Sequence, residues 1–155
     1  MSKIYIYTGK IKSGKTTNLF RWCIGKSSIG GVLQPVIDGK RFFYSIRNKE
    51  LIQLESFNDL DKDTIQIGKY NFLIKGFDKA KAILKEDFQQ NLDWLIIDEF
   101  GPLEIDGKGL EPVITEILIS KENFKGNILV VVRENLLDMF LEKYKLKDKY
   151  TVLEI

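Results

Sequence analysis

Gly9-Lys10-Ile11-Lys12-Ser13-Gly14-Lys15-Thr16 is the stretch whose reading decides the fold. It has the spacing G-x-x-x-x-G-K-T. Before it stands Ile4-Tyr5-Ile6-Tyr7-Thr8, β-branched and aromatic, which reads as a buried strand. After it Leu19, Phe20, Cys23 and Ile24 fall on one face of a 3.6-residue period. Strand, glycine loop and helix are together the context that makes the pattern a P-loop. Loop N–H groups curl around phosphate oxygens, and the helix start adds partial positive charge. The nucleotide-binding set is therefore Gly9, Lys10, Ile11, Lys12, Ser13, Gly14, Lys15, Thr16 and Thr17. Lys15 reaches the β- and γ-phosphates, and the Thr16 hydroxyl is a ligand for Mg²⁺.

The helix is expected over 15 to about 26, where Ser27-Ser28 and Gly30-Gly31 break it. A second strand follows over 29–36. Residues from about 37 to 75 then read as an antiparallel β insertion. It holds strand-like runs at Arg41–Ile46 and Glu50–Leu54, and a hairpin of Ile65–Ile67 with Tyr70–Ile74 around Gly68-Lys69. Its dense aromatics read as sheet packing. Helix-period patterns recur over about 77–91, 111–120 and 135–144. Apolar strand runs recur at Trp94–Asp98 and Asn127–Val132, and 150–155 closes the chain as a strand. Strands alternating with helices predict a mainly parallel α/β sheet in a single domain spanning 1–155. In such sheets ligands bind beyond the carboxyl ends of the strands. The P-loop, Asp98-Glu99 and Arg133 all fall there.

Composition narrows the chemistry. A net charge of +2 gives no argument for nucleic acid or an anionic membrane. The absence of histidine removes His catalysis and His metal ligands. The lone Cys23 forms no internal disulfide and no Cys-cluster zinc site, and reads as packing on the apolar helix face. No apolar run approaches membrane-spanning length and no signal-peptide pattern is present, so a cytoplasmic setting is expected.

Asp98 reads as the Walker B carboxylate, sharing Mg²⁺ with Thr16. In one large division of P-loop proteins the next residue is a Glu that positions the attacking water, and here it is Glu99. Lys15 and Glu99 are thus the candidate catalytic pair. The run Asp98-Glu99-Phe100-Gly101-Pro102-Leu103-Glu104, with the P-loop, Gly31-Val32-Leu33-Gln34-Pro35 and Gly39-Lys40-Arg41, resembles the cancer-related nucleoside-triphosphatase family. The resemblance implies a RecA-like sheet of strand order 5-1-4-3-2 and slow Mg²⁺-dependent hydrolysis of several nucleoside triphosphates. Lys12, Val36 and Phe43 depart from it, standing where that family usually has Gly, Glu and Gly.

Glu104 matches the family's final motif Glu, and either faces the site through a second water or holds its loop. Arg133 is either a source of transition-state charge or a surface arginine at a helix start. Arg41 is either a phosphate contact or a hairpin cation. Two rival functions stay open. One is a small-molecule kinase with the same loop, though the insertion holds only Arg41 and Arg47 rather than an Arg-rich lid. The other is a nucleotide-dependent switch with little turnover.

Overall fold

In the computed structural model, residues 3–9, 14–58 and 61–155 are described. The chain opens with β1 (Ile4–Gly9), α1 (Lys15–Cys23) and β2 (Ile29–Leu33). The insertion follows as β3 (Val36–Ile37), β4 (Lys40–Ser45), β5 (Glu50–Gln53), β6 (Thr64–Ile67) and β7 (Tyr70–Leu73). Then come α2 (Ile74–Phe88), β8 (Trp94–Phe100), α3 (Pro102–Ile105), α4 (Val113–Ile119), β9 (Asn127–Arg133), α5 (Leu137–Lys143) and β10 (Thr151–Val152).

Among the described residues, one sheet runs β10-β1-β9-β8-β2-β4-β3, with β5 also paired to β4. The five strands from β10 to β2 are mutually parallel. Numbered by their order among themselves they read 5-1-4-3-2, as the family resemblance implies. The insertion adds antiparallel β4 to the β2 edge, pairing Val32 with Ser45 and Leu33 with Tyr44. The β6–β7 hairpin forms its own two-stranded sheet, joined to the segment after β5 by a Glu55–Phe72 bridge.

The central strands explain themselves by composition. Leu95, Ile96 and Ile97 of β8, and Ile128 to Val132 of β9, are fully buried. Continuous apolar runs of this kind suit parallel strands covered on both faces. On one face α2, α4 and α5 close a large core with Phe77, Ala80, Leu84, Ile114, Ile117 and Phe140. On the other face α1 contributes Leu19 to a smaller cluster with Tyr7, Leu33, Ile96 and Val131.

At Gly31 the backbone of β2 turns the position of a side chain toward its neighbour β8. Gly31 has φ +99°, and a Cβ there would stand 2.0 Å from the Ile96 carbonyl oxygen of β8. Its N–H donates to the buried Asp87 Oδ2 of α2 at 2.7 Å, while Arg47 Nη1 pairs with Asp87 Oδ1 at 2.6 Å. A charge this deep is tolerated because it is paired and hydrogen-bonded.

Several boundaries differ from the sequence expectation. Helix α1 stops at Cys23, and Gly25 follows in a left-handed conformation (φ +88°). Ile74, expected in a strand, is the first residue of α2. Helix α4 begins at Val113, with Pro112 at the capping position outside it. The four-residue α3 was not foreseen, because one turn is too short to show a period.

Candidate active site

The site lies at the carboxyl ends of β1, β8, β9 and β2. Gly9 ends β1, and Gly14, left-handed at φ 78°, caps the start of α1. Lys10, Ile11, Lys12 and Ser13, expected to cradle phosphate, lie outside the described residues. Lys15 Nζ donates to the Gly9 carbonyl across the loop at 3.4 Å. Thr16 Oγ1 donates to Asp98 Oδ2 at 2.9 Å. The two candidate metal ligands, 82 residues apart in sequence, are therefore adjacent.

Asp98 is buried, with 1% of its surface exposed. Its Oδ2 also accepts the Gln34 N–H at 2.9 Å. Burial, and then the neighbouring Glu99 charge, push its carboxyl up to about 6. Alternation along a strand would send Glu99 to the opposite face from Asp98. The β8–β9 register instead slips between Asp98 and Phe100, pairing them with the consecutive Val131 and Val132. Glu99 is the extra residue of this irregularity, a recurrent way to re-aim a side chain at a site. Asp98 bonds Thr16 and Glu99 borders the cavity that Thr16 lines, so the two carboxylates stand beside one helix start, although the chain continues as strand to Phe100 rather than turning at once.

Arg133, at the end of β9, donates from Nε to Glu99 Oε1 at 3.1 Å. The structure thus joins two residues that the sequence offered separately. Glu104 is buried. Its Oε1 accepts the Gly101 N–H and its Oε2 the Leu110 N–H, both at 2.9 Å. These bonds tie the segment after β8 into a closed loop, and Glu104 also borders a small cleft with Glu99 and Arg133. Burial raises its carboxyl to about 7 against the pull of those two N–H donors. Lys143 of α5 donates to the Glu104 carbonyl at 2.8 Å and pairs with buried Glu111 at 3.1 Å, fixing the loop from behind.

Gln34 is the residue that sequence reasoning missed. Its backbone N–H binds Asp98, and its side-chain oxygen accepts Arg41 Nη1 at 3.2 Å. The only signal was its place between β2 and Pro35; a backbone donor leaves no mark on residue type. Arg41 is brought to the site by β4. Beside these groups opens a cavity of about 570 Å³, bordered by Gly14, Lys15, Thr16, Glu99 and Arg133 on its polar side. Cys23 takes no part in that cavity, and burial pushes its thiol up to about 11.

A parallel sheet of this order, with a glycine-capped helix start beside a buried Asp98 and its half-buried neighbour Glu99, defines the class: a P-loop nucleotide-binding hydrolase. The chain belongs to the NTPase family, whose sequence model matches residues 3–155. Two solved structures share the fold. THEP1 from the hyperthermophile Aquifex aeolicus superposes with a TM-score of 0.76 at 16% identity, over 97% of this chain and 88% of that one. A human cancer-related nucleoside triphosphatase superposes at 0.68 and 15% identity, over 100% and 89%. No curated protein sequence matches at a significant level. Among the described residues no helix is long and apolar enough to cross a membrane.

Proposed function

We propose that this nucleoside triphosphatase cleaves the β–γ bond of ATP- or GTP-type nucleotides with Mg²⁺. The observation that carries the reading is the contact of Thr16 Oγ1 with buried Asp98 Oδ2 at the foot of the P-loop helix. A hydroxyl and a carboxylate oxygen are hard donors suited to Mg²⁺, and Asp98 is a buried carboxylate that a cation would relieve of its desolvation penalty. Thr16 and Asp98 would hold the ion. When bound, it would neutralise charge developing on the β- and γ-phosphate oxygens. Gln34, through its N–H, orients Asp98.

Lys15 supplies positive charge to the same oxygens, and the start of α1 adds the partial charge of its N–H groups. Glu99 orients the attacking water, holding it in line rather than acting as a strong base. Arg133 holds Glu99 in place from β9 and brings a cation to the γ-phosphate end. The test is Lys15→Ala, assayed for phosphate release with and without EDTA. The variant should fold, since Lys15 stands at the first position of its helix, and should lose at least about 10²-fold in turnover. Wild-type turnover should stop on chelation. Near-normal turnover by folded Lys15→Ala, or undiminished activity in EDTA, would overturn the reading.

A further inference from the structure

The cavity beside the P-loop is larger and more apolar than a water nucleophile requires. Its volume of about 570 Å³ falls in the range of small-molecule sites, roughly 300–1,000 Å³. Its walls come from four places in the chain: Phe20 of α1, Leu33 ending β2, Val36 and Ile37 of β3, and Tyr44 and Leu51 facing each other across β4 and β5. Phe20, Val36, Ile37 and Leu51 are all substantially exposed. Four large apolar side chains left open to water and gathered on one concavity make a binding wall, not a scatter of surface residues.

The polar side identifies which reactant the wall serves. Gly14, Lys15 and Thr16 border the cavity where the phosphates would lie, and Glu99, Arg133 and Arg41 border it as well. In phosphoryl transfer the attacking and leaving oxygens lie on opposite sides of the γ-phosphorus. The nucleoside is attached to the leaving side. Glu99 is the group that orients the attacking oxygen, so space continuous with Glu99 belongs to the molecule carrying that oxygen.

We propose that this cavity is a phosphoryl-acceptor subsite for a ring-bearing primary alcohol, seated on the Phe20–Leu51 wall with its hydroxyl at Glu99. The proposal rests on the reading of Glu99 given above. In the transfer, the acceptor oxygen forms a bond to the γ-phosphorus. The bond from that phosphorus to the β–γ bridging oxygen breaks, its electron pair leaving with the nucleoside diphosphate. The hydroxyl proton passes to the Glu99 carboxylate and on to solvent. Hydrolysis is the same reaction with water in the acceptor's place. Arg41, held by Gln34, is the cation available to an acceptor's polar substituent.

The experiment follows the γ-phosphoryl group by phosphorus NMR at saturating Mg–ATP, with 3-pyridinemethanol or benzyl alcohol as probes and ethanol as the ringless control. A phosphomonoester resonance should appear with the ring alcohols, saturate with their concentration, and exceed the ethanol yield by about tenfold or more. Leu51→Trp, which fills the cavity from its exposed rim, should cut the ester-to-phosphate ratio by about tenfold. Ile37→Trp does the same from the opposite strand, should either variant fail to fold. Phosphate release with no ester from either probe overturns the acceptor site and leaves the hydrolase standing. Ring alcohols that only raise the KM for ATP also overturn it, assigning the wall to the nucleobase. Ester formation without hydrolysis in the absence of alcohol supports the acceptor site and overturns the hydrolase reading. Neither product overturns both.

Discussion

Glu99 carries the division between binding and turnover. Replacing it by Gln keeps size and hydrogen bonding but removes the charge that holds Arg133 and orients water. Affinity for Mg–ATP by calorimetry should persist, while single-turnover hydrolysis should fall by about 10²-fold. Unchanged hydrolysis would reduce Glu99 to a partner for Arg133. Glu104 carries a different prediction, in stability. Its carboxyl sits at about 7 in the fold against 4.5 as the ordinary value, with burial the main cause. Between those values the folded chain binds the proton more tightly than the unfolded chain. This group's contribution to stability is therefore greatest below about pH 4.5 and declines as pH rises through about 7, by an amount on the order of 3 kcal/mol. Urea titrations at pH 5 and pH 8 should show the decline in the wild type and a flatter profile in Glu104→Gln. A stability that rises across this range in step with Glu104 titration would show that the two N–H donors outweigh burial.

At the level of elements, β2 is the least forgiving. Gly31→Ala would drive a Cβ into the β8 backbone at a φ of +99°. We expect a loss of more than about 3 kcal/mol in chemical denaturation, and a near-neutral result would mean that the two strands part more readily than their packing indicates. This position shows where sequence reading reached and where it stopped. Gly30-Gly31 read as a helix breaker, and the glycines' second role appeared only once β8 lay alongside. The P-loop unit was legible because a fixed spacing, a β-rich run and a helical stripe occur together in 25 residues or so. Asp98 was legible as the carboxylate ending a continuous apolar run. The Glu99–Arg133 pair was not, since it depends on the parallel neighbourhood of β8 and β9 and on a slipped register that leaves no mark in composition. Nor was the Arg47–Asp87–Gly31 linkage, which joins a hairpin, a helix and a strand far apart in sequence. The helix start at Ile74 drifted because no side-chain cap announces it, and the one at Val113 because the carboxylate that takes its first-turn N–H, Glu111, stands before Pro112 and outside the helix.

Over the whole molecule, the antiparallel insertion became legible as an addition to the β2 edge, whereas the sheet order itself came through family likeness rather than periodicity. That order has a consequence for synthesis. Strand β1, the first of the described strands in chain order, pairs with β9 on one side, Ile4 opposite Ile128, and with β10 on the other, Tyr5 opposite Thr151. The strand that presents the phosphate loop is thus framed by β9 and β10, the two described strands farthest from it in sequence. Loop-closure entropy must be met before either pairing rewards it, so the early chain gains little from these contacts on its own. Stalled nascent chains in which residues 127–133 are still within the exit tunnel should therefore fail to retain a fluorescent ATP analogue, and chains with 151–152 exposed should retain it. Retention by the shorter chains would show that the loop is framed without its neighbours. Nucleotide binding in this topology is a property acquired only once β9 and β10 have been synthesised, and until then the flanks of β1 are an unpaired edge for chaperones to cover.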